Sequence, residues 1–210
     1  MNLEALKTEL AGDTHVYPVD ISNLESLQNA LKFVQEKCGH IDSIINLAAL
    51  YEPASIKDMN IEKARLLVDV NLTGSLNLIH AALPVLKSQS HGQFVLCGSV
   101  AGYRGLPNGQ PYSATKAAII NLAESLKVEN PDLDIKLISP GFVRTPLTDK
   151  NDFEMPMMIE PEEAAKAIAD GLLKKNFEIH FPKKFTILMK LLRLLPNAVY
   201  FKIAGKFARG

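Results

Sequence analysis

The sequence predicts an α/β fold: an open, doubly wound, mostly parallel sheet with helices on both faces. Short apolar, β-branched runs alternate with longer stretches of helical periodicity, the pattern of βαβ units. Residues able to do chemistry collect just after those runs, where open parallel sheets bind ligands. With 210 residues, of which 47% are hydrophobic and 22% charged, the chain suits one globular domain with a substantial core.

The elements follow in order. Residues 3–10 read as the end of an amphipathic helix, with Leu3, Leu6 and Leu10 at helical spacing. His15–Val19 reads as a short strand ending at Asp20. Asn23 caps a helix to about Lys37, its apolar face carrying Leu24, Leu27, Leu31 and Val34. Ile41–Leu47 is β-branched and apolar, as a buried parallel strand would be. A long helical region spans 61–88, interrupted near Gly74 and Pro84. Phe94–Cys97 is a strand ended by Gly98-Ser99, and a helix runs from about Pro111 to Lys127. Asp134–Ser139 is a strand stopped by Pro140-Gly141. Pro161 suits the first turn of a helix reaching about Lys174, and Phe177–Phe181 is the last strand. Residues 1–181 form the domain and 182–210 a tail of different composition.

Charge and cysteine content exclude several classes. Lys+Arg and Asp+Glu both number 23, so net positive charge does not drive nucleic-acid binding, and none is expected. Cys38 and Cys97 make neither a disulfide framework nor a zinc site, which points to a reducing cytoplasm. His15, His40, His80, His91 and His180 show no metal-ligand spacing, so no metal is expected. The start of the chain does not read as a signal peptide. The apolar stretch Phe185–Gly205 is broken by Lys190, Arg193, Pro196 and Lys202, against a membrane span.

Zero net charge conceals a basic tail. From Lys174 to Gly210 there are nine cations and one acid, Glu178. Residues 185–196 are apolar over most of a helical circumference, and 199–207 mix aromatic residues with lysines. Residues 183–209 therefore pack on the body, form a dimer contact, or lie at an anionic membrane surface on the cytoplasmic side.

The sharpest motif is Tyr112-Ser113-Ala114-Thr115-Lys116. Four residues apart on a helix, Tyr112 and Lys116 share a face. An ammonium beside a phenol favours phenolate and lowers its pKa, which suits proton transfer. Ser99, thirteen residues earlier at a strand end, can hold the oxygen whose proton Tyr112 handles.

In this arrangement the chain resembles the short-chain dehydrogenase/reductase family of nicotinamide-dependent oxidoreductases, with a Rossmann-like fold. The family's Ser and Tyr-x-x-x-Lys are matched by Ser99, Tyr112 and Lys116. Its Asn-Ala-Gly-like turn is matched by Asn46-Leu47-Ala48-Ala49, with Ala where Gly is usual, and its helical asparagine by Asn71. Asp20-Ile21 matches the acidic residue that meets adenine, and Pro140-Gly141-Phe142-Val143-Arg144-Thr145 the Pro-Gly-Thr segment. Together these motifs cover about residues 3–181.

The resemblance implies NAD or NADP as cofactor and an alcohol or carbonyl compound as substrate. Catalysis would fall to Asn71, Ser99, Tyr112 and Lys116. Asn71 would support a water in a proton relay. Asp20, Ile21, Asn46, Ala48, Pro140, Gly141, Val143 and Thr145 would hold the cofactor, with Tyr112 and Lys116 at its ribose. The family also implies a homo-oligomer through the helices near 62–87 and 110–128. Residues 146–160, with Phe153, Met155, Met157 and Met158, match its lid over the substrate. Either they shape a site for an apolar substrate or they pack the loop down.

One family feature has no counterpart in the sequence. No Gly-rich phosphate-binding turn precedes Asp20, so a first βαβ unit on the order of 30 residues is missing. That loss is expected to strip Ile41–Leu47 of a neighbour, isolate His15–Val19 and weaken cofactor binding. It fits an internal methionine at Met1, a truncation, or a short form without catalysis. The alternative function is accordingly a cofactor-free scaffold or membrane-surface interaction protein on the same fold.

Overall fold

The structure, a computed structural model, describes residues 7–10, 12–151 and 153–207. Four parallel strands form one sheet in chain order: β1 (Ser43–Asn46), β2 (Gln93–Cys97), β3 (Asp134–Pro140) and β4 (Glu178–Phe181). Asn46 lies opposite Leu96, Leu96 opposite Leu137, and Pro140 opposite Phe181. The residues following β1, β2 and β3 therefore emerge along one edge of the sheet.

Strand alternation assigns the two faces. Phe94, Leu96, Ile135 and Leu137 point to one side, against α3 (Gly74–Gln89) and α4 (Tyr112–Glu129). Leu78, Ala82, Leu86, Ile119 and Ala123 complete that core. Val95, Ile138, Ile179 and Phe181 point to the other, with Ala164 of α5 (Pro161–Leu172). α1 (Leu24–Cys38) packs on α3. This is the expected doubly wound, parallel α/β arrangement.

Local chemistry sets the helix ends. Asn23 Oδ1 accepts from Ser26 N–H at 3.0 Å and starts α1, and Gly39 at φ +80° ends it. Pro161 occupies the first turn of α5, where Glu160 and Glu163 form a capping box.

Four of the expected elements differ in part. His15–Val19 forms no ladder, because no strand lies beside it among the described residues. Of the helical end at residues 3–10, residues 7–9 are helical, and 3–6 lie outside the described residues. β1 is an edge strand rather than a buried one: Ile44 packs on the core, while Ile45 and Leu47 are 41% and 58% exposed. Pro84 does not interrupt α3. The break falls earlier, at a π-helical turn, Asp69–Thr73, between α2 (Ile61–Val68) and α3. The run Ile61–Gln89 is long and apolar enough to cross a membrane, but Leu67, Leu78, Ala82 and Leu86 are buried in this fold.

After β4 the chain forms α6 (Lys183–Leu194) and α7 (Asn197–Phe207). Phe185 and Met189 of α6 join the main core. Glu178 accepts from Tyr103 Oη and Lys190 Nζ, each at 2.5 Å. Burial alone would raise the Glu178 pKa, but these hydrogen bonds outweigh it and hold the carboxyl below the usual glutamate range. A depressed carboxylate contributes stability above its unfolded pKa and loses it as pH falls through the folded value. Glu178→Gln should therefore cost about 1–2 kcal/mol at neutral pH by urea unfolding. The gap from the native chain should close as pH falls through that depressed range, and a pH-independent gap would contradict the assignment.

Candidate active site

The turn after β2 and the start of α4 build the centre. Ser99 is extended, and its Oγ accepts from Ala101 N–H at 3.1 Å. The next turn, Val100–Gly102, packs directly on α4: a Cβ at Gly102 would lie 2.6 Å from the carbonyl carbon of Lys116. Ser113 fastens the same join, its Oγ donating to Ala101 O at 2.6 Å. With turn and helix held so closely, Ser99 and Tyr112 line the same pocket.

Lys116 is 3% exposed, and its Nζ donates to Cys97 O at 2.7 Å. Nζ lies 5.5 Å from the centre of the Tyr112 ring. Lys136, the other buried lysine, differs. Its Nζ meets Lys174 O at 2.5 Å, Asn176 O at 3.1 Å and Asp134 Oδ1 at 3.2 Å. An ammonium has three donors. Lys136 employs all three, whereas Lys116 employs one among the described residues.

Lys116 does not lower the tyrosine pKa as the spacing predicts. Burial pushes Tyr112 up, Cys97 and Tyr51 add to this, and only the Ser99 hydrogen bond opposes it. Burial likewise pushes Lys116 down, with Cys97 opposing. The ammonium is aimed at a backbone carbonyl, so desolvation dominates both groups.

Asn71 is 2% exposed on the π-helical turn, a distortion often found at functional sites. Its side chain clamps one residue: Oδ1 accepts from Leu50 N–H at 2.7 Å and Nδ2 donates to Leu50 O at 2.9 Å. Nδ2 also reaches Thr115 Oγ1 at 3.3 Å. The amide thus positions the loop after β1 rather than standing against the Tyr112 hydroxyl. Ser75 joins this loop to the strand end, accepting from Asn46 Nδ2 at 3.0 Å and donating to Asn71 O at 2.7 Å.

The other expected cofactor residues lie at the end of β1 and in the turn after it, just ahead of α1, and at the end of β3 and in the loop after it. Asn46 Oδ1 accepts from Ala48 N–H at 3.1 Å and shapes the turn after β1. Asp20 is exposed and accepts from both N–H and Oγ of Ser22, bonds that hold its carboxyl below the usual range. Ile21 packs against Gly74. Gly141, after Pro140, donates to Phe181 O at 2.7 Å, and a Cβ there would meet Phe185 at 2.7 Å. Thr148 Oγ1 ties the next loop together, donating to Val143 O at 2.8 Å and accepting from Thr145 N–H at 3.0 Å.

Several contributors lie beyond the sequence motifs. The Tyr51 ring meets Tyr112 edge-on at 4.7 Å, and its hydroxyl donates to Asn151 Oδ1 at 2.5 Å. Phe142, Leu147, Phe153, Phe185 and Met189 wall a largely apolar pocket beside Ser99 and Tyr112. Arg104 does not face this pocket. It donates to Arg193 O at 2.9 Å and Asn197 Oδ1 at 2.5 Å, and stacks 4.2 Å from the Tyr200 ring. Outside the site, exposed His40, Asp42 and His91 bring potential ligand atoms within 4.8 Å of one another, His91 from a different part of the sequence.

A parallel α/β sheet with Ser, Tyr and Lys gathered where its strands end defines an oxidoreductase of the dinucleotide-dependent kind. Residues 1–155 match the model of the short chain dehydrogenase family, and the chain belongs to it. An uncharacterized oxidoreductase of Staphylococcus epidermidis is 33% identical over 176 residues, 83% of this chain and 76% of the relative. A solved alcohol dehydrogenase from the archaeon Thermococcus sibiricus, complexed with 5-hydroxy-NADP, shares 26% identity with a TM-score of 0.74. That match covers 85% of this chain and 78% of the other. A short-chain dehydrogenase/reductase from Burkholderia phymatum in complex with NAD, 18% identical with a TM-score of 0.80, shares the fold over 90% of this chain and 77% of its own.

The Gly102 contact has a direct test. Gly102→Ala sets a Cβ against backbone that cannot swing aside. It should destabilise the protein by about 1–3 kcal/mol in urea unfolding. Unchanged stability would show that turn and helix are not held this closely.

Proposed function

We propose that the chain is an NAD(P)-dependent oxidoreductase interconverting an apolar alcohol with its ketone or aldehyde. One observation carries this reading: a buried ammonium, Lys116, held beside Tyr112 and Ser99 at the pocket. An ammonium in that setting suits a vicinal diol such as a ribose. Val143 and Thr145 on the neighbouring loop suit the carboxamide end of the dinucleotide. Asp20 and Ile21 just ahead of α1, with Asn46 and Ala48 where β1 ends, suit its adenosine half. The family and the alcohol dehydrogenase among its solved relatives support the same chemistry.

When bound, the dinucleotide supplies or accepts the hydride. The protein manages position and the proton. Ser99 Oγ orients the substrate oxygen, and the Tyr112 hydroxyl holds the proton that this oxygen gains or loses. Because burial keeps Tyr112 protonated, its resting role is the acid that completes reduction of a carbonyl. Lys116, beside the Tyr112 ring, would hold the ribose hydroxyls of the dinucleotide. Asn71 acts as a positioning residue, holding the loop that sets Tyr51 against Tyr112. The aromatic and methionine walls of the pocket favour an apolar substrate.

We also propose a cytoplasmic homo-oligomer, a reading supported by Leu66, Leu76 and Val128, which are exposed on the helices that would meet a second copy.

Turnover followed by nicotinamide absorbance, over a panel of apolar ketones and alcohols, tests the assignment. Tyr112→Phe should lower the rate at least ~100-fold, as loss of a general acid does, with little change in melting temperature. A raised tyrosine pKa keeps the acid form present to higher pH. Ketone reduction should therefore stay level through neutral pH, and alcohol oxidation should rise as pH increases. Full activity in Tyr112→Phe would contradict the assignment.

A further inference from the structure

α6 is apolar on two opposite faces. Phe185 and Met189 turn inward, are each 7% exposed, and wall the pocket. Ile187, Leu188, Leu191 and Leu194 turn outward at helical spacing and are 49% to 78% exposed. α7 adds Val199 at 46% and Phe201 at 65%. Scattered surface leucines need no partner, but a helix apolar on both sides implies cover on both.

Charge selects the cover. Lys183, Lys184, Arg193 and Lys202 are exposed, and among the described residues none has an acidic partner within 4 Å. The single acid between Lys174 and Gly210, Glu178, is engaged by Lys190 and Tyr103. A second copy of this face would set cation against cation with no acid between them. A layer of anionic headgroups neutralises the cations, and acyl chains cover the leucines. The face is also held in place. Arg104 bonds the end of α6 and stacks on Tyr200 of α7, and the Tyr200 hydroxyl donates to Gly105 O.

We propose that α6 and α7 dock this face on an anionic lipid surface, and that the pocket behind α6 takes a lipid-borne apolar alcohol or carbonyl from it. The substrate part rests on the oxidoreductase assignment, and the docking does not.

Flotation of the purified full chain with phosphatidylglycerol vesicles or phosphatidylcholine vesicles, at low and high salt, reads docking without turnover. The expected result is flotation with phosphatidylglycerol, weakened by salt and at least tenfold lower with phosphatidylcholine. Leu188→Glu with Leu191→Glu should reduce it at least tenfold while the melting temperature is kept. Should that variant unfold, Lys184→Glu with Lys202→Glu serves the same purpose. The proposal is overturned if the native chain does not float with phosphatidylglycerol, if variants float equally well, or if the native chain is a dimer that the substitutions split. Reduction of a long-chain ketone dissolved in the vesicles reads the substrate part. It should be faster on phosphatidylglycerol, with that advantage lost in the double variant. Docking with no turnover of any substrate overturns the oxidoreductase assignment alone, whereas turnover indifferent to vesicles overturns the lipid-borne substrate.

Discussion

Burial of the Lys116 ammonium at the end of β2 is the constraint on which the rest of the site depends. Removing an ammonium from water costs on the order of several kcal/mol unless its donors find acceptors. Lys136 shows how this fold meets that cost where stability alone matters, with three oxygens around one nitrogen. Among the described residues, Lys116 donates to Cys97 O alone. The close approach of Gly102 and the Ser113 bond to Ala101 hold α4 so that Lys116 stays inside and Tyr112 stays beside Ser99. The place of Lys116 beside Tyr112 and the pocket suits it to meet a ligand there.

The tail and this centre are coupled through shared contacts. Gly141 ends the third strand against Phe185, leaving no room for a side chain between them. Phe185 and Met189 then serve both the core and the pocket wall. Arg104, in the loop between Ser99 and Tyr112, closes the end of α6. A change in the seating of α6 therefore reaches the substrate side of Tyr112 through the loops on either side of it.

Much of this was legible in the sequence because local chemistry decides it. Asn23 opens α1, Pro161 opens α5, and β2, β3 and β4 fall on the apolar runs read as strands. The Ser99, Tyr112 and Lys116 cluster was legible because helical spacing and one tight turn fix its geometry. Long-range features were not. His15–Val19 has the composition of a strand, but a ladder requires a neighbour that composition does not supply. Tyr51, Thr148 and Arg104 gain their roles from partners that spacing does not reveal, Arg104 from residues 89 and more positions away. The direction of the Tyr112 shift also escaped the motif, because desolvation depends on packing rather than on four-residue spacing.

Lys116→Met is the most direct measurement of whether the buried ammonium is kept for a ligand. Methionine fills similar space without the charge. The native chain should bind NADH or NADPH, followed by nicotinamide fluorescence. The variant should bind at least tenfold more weakly while melting at the same temperature or higher, since an under-satisfied buried charge has been removed. Equal binding by the two proteins, or a variant that loses stability instead of affinity, would contradict the account.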